Sequence, residues 1–202
     1  MQGVFGFCDW LSSAFPQAVI GLSSVGVPVG LRWLREQPWV ERLRLQLSMH
    51  AMPGTRRERI IPCERTYPIM ESVREASALS ASTGHPVCLN CVLMNGINDT
   101  EEDANGIADV AVSGQFYVKV SSLNRTVRSS GGLAPSCQVD RYCNVLERRG
   151  VPYKIFESLG VGIGAGCGQS AAHVERKSGG VPLHARRSGS LHEVCPSCAW
   201  GW

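Results

Sequence analysis

Apolar positions recur along this chain with two periods, and the switches between them mark its elements. Leu43, Leu45 and Leu47 alternate with Arg44 and Gln46, which predicts a strand with one buried face. That strand leaves through the polar Ser48-Met49-His50 into a basic, helix-prone run ending at Pro62. Upstream, Phe5 to Phe15 has helical spacing. Residues 18–23 form a short apolar run ending in a Ser23-Ser24 turn, and an amphipathic stretch with Leu31 and Leu34 lies between Pro28 and Pro38. Pro68 suits a helix start, with Ile69, Val73, Ala76 and Leu79 on one face and Gly84 as a left-handed stop.

Downstream, residues 86–94 (PVCLNCVLM) are nearly all apolar, as expected of a strand buried on both faces. A helix begins near Thr100, with Glu101, Glu102 and Asp103 placed to complement its dipole; Ile107, Ala108 and Ala111 turn inward and Gly114 ends it. Residues 116–122 make another strand, exiting at Leu123-Asn124. Val139, Tyr142, Cys143 and Leu146 mark a helix stopped by Gly150, and residues 153–157 supply a last strand. Strand and helix alternate about five times, with connections long enough for parallel pairing. The expected fold is α/β, a sheet of parallel strands that is open or a partial (β/α) barrel.

At 202 residues, 44% hydrophobic and 18% charged, the chain suits one domain with a sizeable core, expected over residues 1–169. Residues 170–202 lack any hydrophobic period and are expected to form a disordered tail. A net charge of +3 permits a polyanionic partner without demanding one. The first fifteen residues lack a basic start and a continuous apolar stretch, and no apolar run is long enough to cross a bilayer. The expectation is a cytoplasmic protein, unless an organelle address lies on a missing amino terminus. Its nine cysteines then serve as thiols, metal ligands or catalytic groups, and the N-x-T patterns at Asn98 and Asn124 are chance.

In a parallel sheet, ligands sit outside the carboxyl ends of the strands, so Ser48 and His50 are placed as site residues; a hydrogen-bonded loop histidine is the alternative. The glycine-rich residues 160–169 follow a strand, but no amphipathic helix opens after them, so they suit a mount for Cys167 better than a dinucleotide site. Cys88 and Cys91 have CxxC spacing on a strand, where side chains three apart point to opposite faces; they are expected to be core thiols. Cys195 and Cys198, with His184 and His192 upstream, are a candidate zinc set. Arg56, Arg57 and Arg59 either meet phosphate or form a solvated helix face.

Several of these segments occur in one order and spacing: Leu22-Ser23-Ser24-Val25-Gly26, Leu47-Ser48-Met49-His50-Ala51, the run from Arg57 to Pro62, Tyr67-Pro68-Ile69, Val92 through Asp99, Asn124, and Cys167-Gly168-Gln169. In these the chain resembles the radical S-adenosylmethionine RNA methyltransferases, which modify adenine at carbon 2 in ribosomal and transfer RNA, and their carbon-8 relatives that confer antibiotic resistance. The resemblance runs from about Gly21 to Gln169 and matches the carboxyl-terminal half of such a protein.

It implies an S-adenosylmethionine pocket lined by Ser23, Ser48, Met49, His50 and Asn124. It also implies that Cys167 accepts a methyl group from one S-adenosylmethionine. A second S-adenosylmethionine, cleaved at a 4Fe-4S cluster, would supply the radical that activates that methyl group for adenine. Ribosomal RNA, with transfer RNA as a second candidate, and a flavodoxin-type electron donor are the implied partners. The family's CxxxCxxC cluster motif occurs nowhere in these 202 residues, nor does its Gly-Glu-Pro stretch. The expectation is therefore the carboxyl-terminal part of a radical methyltransferase core, with a non-catalytic protein binding S-adenosylmethionine, RNA or a protein partner as the alternative.

Overall fold

The computed structural model describes residues 2–124 and 133–158. Five strands, β1 (Ile20–Ser24), β2 (Leu43–Ser48), β3 (Cys88–Leu93), β4 (Tyr117–Ser122) and β5 (Tyr153–Ile155), form one parallel sheet in chain order. Between and before them lie helices α1 (Gln2–Ala14), α2 (Pro28–Arg35), α3 (Thr55–Ile60), α4 (Ile69–Thr83), α5 (Glu101–Gly114) and α6 (Val139–Arg148), with short 3-10 turns at Val40–Arg42 and Pro62–Arg65. Because every strand runs the same way, all five carboxyl ends open on one edge of the sheet. The polar exits read from the sequence are thereby gathered on one rim.

The core occupies one face of that sheet. Leu43, Leu45 and Leu47 of β2, Leu89, Cys91 and Leu93 of β3, and Val118 and Val120 of β4 are all buried in a single apolar cluster with the helices. From α4 come Ile69, Val73, Ala76 and Leu79; from α5 come Ile107, Ala108 and Ala111; from α6 come Tyr142, Cys143 and Leu146. Each large side chain fully buried there contributes about 1.5–3 kcal/mol before entropy is subtracted. The register pairs Gln46 with Cys88 and Cys88 with Tyr117. Those residues belong to the opposite set of alternating positions, so the second face of the sheet carries polar and half-buried side chains instead.

Local signals account for most boundaries. Gly84 takes a left-handed φ of 67° and ends α4, and Thr100 forms a reciprocal capping box with Asp103 at the start of α5. Three details depart from the expected boundaries. β1 starts at Ile20, because residues 15–18 form a turn whose carbonyls at Phe15 and Ala18 accept from Arg42. β5 spans three residues rather than five. Gly114 ends α5 as expected, but the left-handed turn that follows falls on Gln115, at φ 55°, while Gly114 leaves room for the Phe116 ring folded back onto it.

Among the described residues, no helix is long and apolar enough to cross a membrane. Residues 160–169 with Cys167, the expected tail from 170 to 202, and the candidate zinc residues His184, His192, Cys195 and Cys198 all lie outside the described residues.

Candidate functional site

The rim at the strand ends is assembled around Arg57, which is fully buried. Its Nε donates to the Met49 carbonyl at 3.1 Å, and its Nη2 donates to the carbonyls of Ser48 (2.9 Å) and Val25 (2.7 Å). Its Nη1 pairs with Glu64, whose carboxylate also accepts the Ile69 amide at 3.1 Å. One guanidinium therefore fixes the exits of β1 and β2 and, through Glu64, the start of α4. Removing either charge would strand its partner away from water, at about 3–5 kcal/mol. Arg57 thus corrects both readings of the arginine run: it is neither a phosphate ligand nor part of a solvated face. The reason is tertiary, since only the packed exits supply enough acceptors to satisfy a buried guanidinium.

His50 sits at the β2 exit with a left-handed φ of 56°, rare for a residue with a side chain. Three bonds hold it there. Its amide donates to the Asn90 carbonyl at 3.1 Å, its carbonyl accepts from Asn98 Nδ2 at 2.5 Å, and its Nδ1 accepts from the Val92 amide at 3.2 Å. Burial, reinforced by the Arg57 charge, lowers its pKa to about 4. His50 is therefore neutral at pH 7, and since Nδ1 is an acceptor, the proton resides on Nε2. A neutral imidazole with one oriented N–H donor can bind a ligand's acceptor without adding charge.

Asn98 is the second organiser. Its Oδ1 accepts the Met94 amide at 2.7 Å, and its Nδ2 donates to Val92 O at 2.9 Å as well as to His50. Asp99 accepts from the Gly96 amide at 2.9 Å and from Ser136 Oγ at 2.6 Å, latching the β3 exit to the segment before α6. At the β4 exit, Asn124 Nδ2 donates to Ser158 Oγ at 2.9 Å, joining the ends of β4 and β5.

Ser23, half-buried at the β1 exit, accepts from Gln46 Nε2 at 3.1 Å; Gln46 Oε1 in turn accepts from Lys119 Nζ at 3.2 Å. This bridge crosses four strands of the open face. Next to it, Asn90 Oδ1 is buried and has no hydrogen-bond partner among the described residues. A buried acceptor without a donor is costly, and one lying on the site face suits a ligand's N–H or O–H.

The structure thus gathers Ser23, Ser48, His50 and Asn124 along one rim. Ser48 is almost fully buried, and Met49 turns away into the apolar cluster, completely buried, because it continues the alternation of Leu43, Leu45 and Leu47. Cys88 and Cys91 are both buried; burial raises the Cys88 pKa and pushes Cys91 up to about 12, so both remain thiols. Among the described residues no group of three His, Cys, Asp or Glu side chains could hold a metal ion. Arg57, Gln46, Asn90 and Lys119 were not singled out for this arrangement by the sequence. For Gln46 and Lys119 the one available signal was a polar residue at every second position of a strand.

No protein-family model matches the chain. Among curated proteins it is similar to the dual-specificity RNA methyltransferase RlmN 1 of Myxococcus xanthus, with 32% identity over 179 residues that make up 88% of this chain and 49% of the relative. A probable dual-specificity RNA methyltransferase RlmN of Thermus thermophilus is 32% identical over 164 residues, 81% of this chain and 46% of the relative. A solved radical SAM methyltransferase from Sphaerobacter thermophilus shares the fold with a TM-score of 0.69 and 30% identity, covering 74% of this chain and 43% of the other. The chain spans about half the length of the curated relatives it matches.

Proposed function

Since the chain belongs to the family of radical S-adenosylmethionine RNA methyltransferases, we propose that it serves in the methylation of adenine, at carbon 2 or carbon 8, in ribosomal RNA, with transfer RNA as a second candidate substrate. The observation that carries this reading is the rim itself. Residues of the family's motifs, scattered over a hundred positions, meet at one end of the sheet around a neutral His50. In this reading Ser23, Ser48, His50 and Asn124 hold S-adenosylmethionine, and Met49 backs them from the core. The unpaired Asn90 Oδ1 fits a cofactor bearing amino and hydroxyl donors.

Cys167 is the methyl acceptor. Its sulfur attacks the sulfonium methyl, the new S–CH3 bond forms as the old one breaks, the thiol proton passes to solvent, and S-adenosylhomocysteine leaves. The residues present do not fit a 4Fe-4S cluster: CxxxCxxC occurs nowhere in the sequence, and no described constellation replaces it. Radical chemistry therefore requires a cluster supplied by residues outside these 202, together with a flavodoxin-type electron donor, in the cytoplasm.

The test has two arms. Incubated anaerobically with S-adenosylmethionine and reductant, the 202-residue chain alone should release no deoxyadenosine. When joined or mixed with a cluster-carrying amino-terminal part, it should yield methyladenosine in ribosomal RNA, and Cys167→Ala should abolish that product while S-adenosylmethionine still binds. Methylation that persists in Cys167→Ala would overturn the role of that thiol. The absent cluster motif favours one second reading, a non-catalytic protein that binds S-adenosylmethionine, RNA or a protein partner. Calorimetric titrations showing neither S-adenosylmethionine nor RNA binding, with no partner retained, would dispose of it.

A further inference from the structure

We propose that the β4–β5 flank of the open sheet face is a binding surface for a single-stranded segment of RNA, built from Tyr117, Lys119, Lys154 and Phe156. The inference rests on the reading of RNA as the substrate class and adds the place where its backbone and bases are held.

Cations and rings interleave on this flank. Lys119 Nζ lies 4.2 Å from the centroid of the Phe156 ring, and Lys154 Nζ lies 5.3 Å from that of Tyr117. Register places Lys119 beside Lys154 across the β4–β5 ladder, so the two ammonium groups share one face. Lys119 is steadied by its bond to Gln46, while Lys154 and Phe156 are exposed, Phe156 at 42% of its surface. Packed by Lys119 on one side, the Phe156 ring still leaves 42% of its surface open at the sheet edge.

Lys119 and Lys154 are the charged residues of the two ladder strands here, with the exposed Glu157 following Phe156 just beyond β5. On the neighbouring β3, the Cys88 thiol beside Tyr117 feels the charges of both Lys119 and Lys154. Neither lysine forms an ion pair with a described residue. The acids of the carboxyl-terminal helices are turned elsewhere: Glu101 pairs with Arg141 and Asp109 with Arg149 on the helical side. Basic groups spaced between ring faces suit a polyanion whose monomers carry flat bases, because lysines meet phosphates while rings stack on bases. An acidic peptide would satisfy the lysines and leave the rings unused.

Position supports the same occupant. β5 is one edge of the sheet, opposite β1, and the Asn124–Ser158 bond brings this flank to the candidate rim. A strand of RNA tracking along β4 and β5 would deliver a nucleotide to the strand ends.

The experiment is fluorescence anisotropy of the full 202-residue chain with a labelled oligoadenylate RNA, titrated over a series of salt concentrations. Phe156→Ala should weaken binding at least about five-fold, the loss expected for one stacked base. Lys154→Ala should weaken it at low salt and reduce the slope of log K against log salt by about 0.7, one released phosphate contact on a single strand. Arg148→Ala, an exposed cation on α6 of the helical side, should change neither. Thermal melts matching the wild type establish that each variant is folded. Wild-type binding that survives both flank substitutions would overturn this surface while leaving the RNA reading intact. Wild-type failure to bind RNA would strike the RNA reading itself. Equal weakening by Arg148→Ala, or full competition by polyglutamate with Phe156→Ala silent, would reduce the effect to net charge and also overturn the proposal.

Discussion

His50 shows how a single residue ties the rim to the stability of the fold. Its imidazole has a pKa of about 4 in the folded protein against 6.5 unperturbed, so the native state resists a proton that the unfolded chain accepts. Stability contributed by the neutral ring is therefore complete above pH 6.5 and is lost as pH falls toward 4. Below that, both states are protonated and the loss levels off. The window is worth on the order of 3 kcal/mol. Urea titrations between pH 7 and 4 should show this decline in the wild type, and a shallower one in His50→Gln, whose side-chain oxygen can still accept from the Val92 amide. Equal slopes in the two proteins would place the pH dependence on the carboxylates instead. The same protonation would remove the Nδ1 lone pair, so S-adenosylmethionine affinity should fall over the same range.

At the scale of an element, the β1 exit shows why spacing alone understates a turn. Gly26 has φ 96°, its amide donates to Ser24 Oγ at 3.1 Å, and a Cβ there would come 2.6 Å from Ile69 Cδ1 and 3.0 Å from Ser72. The glycine thus lets β1 turn tightly against the first residues of α4, which Glu64 positions through the Ile69 amide. Gly26→Ala combines left-handed strain with a close contact inside the fold and should cost about 2 kcal/mol or more in denaturant unfolding. Because the turn carries Ser23 and the Val25 carbonyl that Arg57 holds, the variant should also weaken S-adenosylmethionine binding more than an equally destabilising substitution on α6. A loss no larger than that of the α6 control would detach this turn from the site.

At the scale of the whole molecule, one flank of the described residues is apolar and exposed. α1 packs one side inward, through Phe5 against Trp33 at 4.3 Å between centroids, Trp39 Nε1 to Asp9, and the buried Cys8. Its other side exposes Val4, Phe7 and Trp10, with Phe15 beyond, the rings in mutual contact. β1, which follows, pairs on one side only among the described residues. An open parallel edge beside an aromatic patch favours association. Sedimentation of the isolated chain should show concentration-dependent self-association, reduced by Trp10→Glu. A cluster-carrying amino-terminal part would have the same effect by covering this flank. A monomer at all concentrations would show that the patch is tolerated in water.

The sequence by itself determined the order of elements, because periods of two and 3.6 are imposed by local backbone geometry and survive without tertiary context. It also placed Ser23, Ser48, His50 and Asn124 at strand exits, since a parallel alternating pattern leaves no other end for them. Tertiary structure decided what spacing cannot encode. Arg57, read as surface or phosphate ligand, became the buried hub because carbonyls from the exits of β1 and β2 converge on it. Met49 turned inward while its neighbours faced the rim, and the left-handed residue after α5 is Gln115, with the Phe116 ring folded back onto Gly114. Burial, charge pairing and the tautomer of His50 depend on groups dozens of residues apart, and only the folded sheet brings those groups within hydrogen-bonding distance.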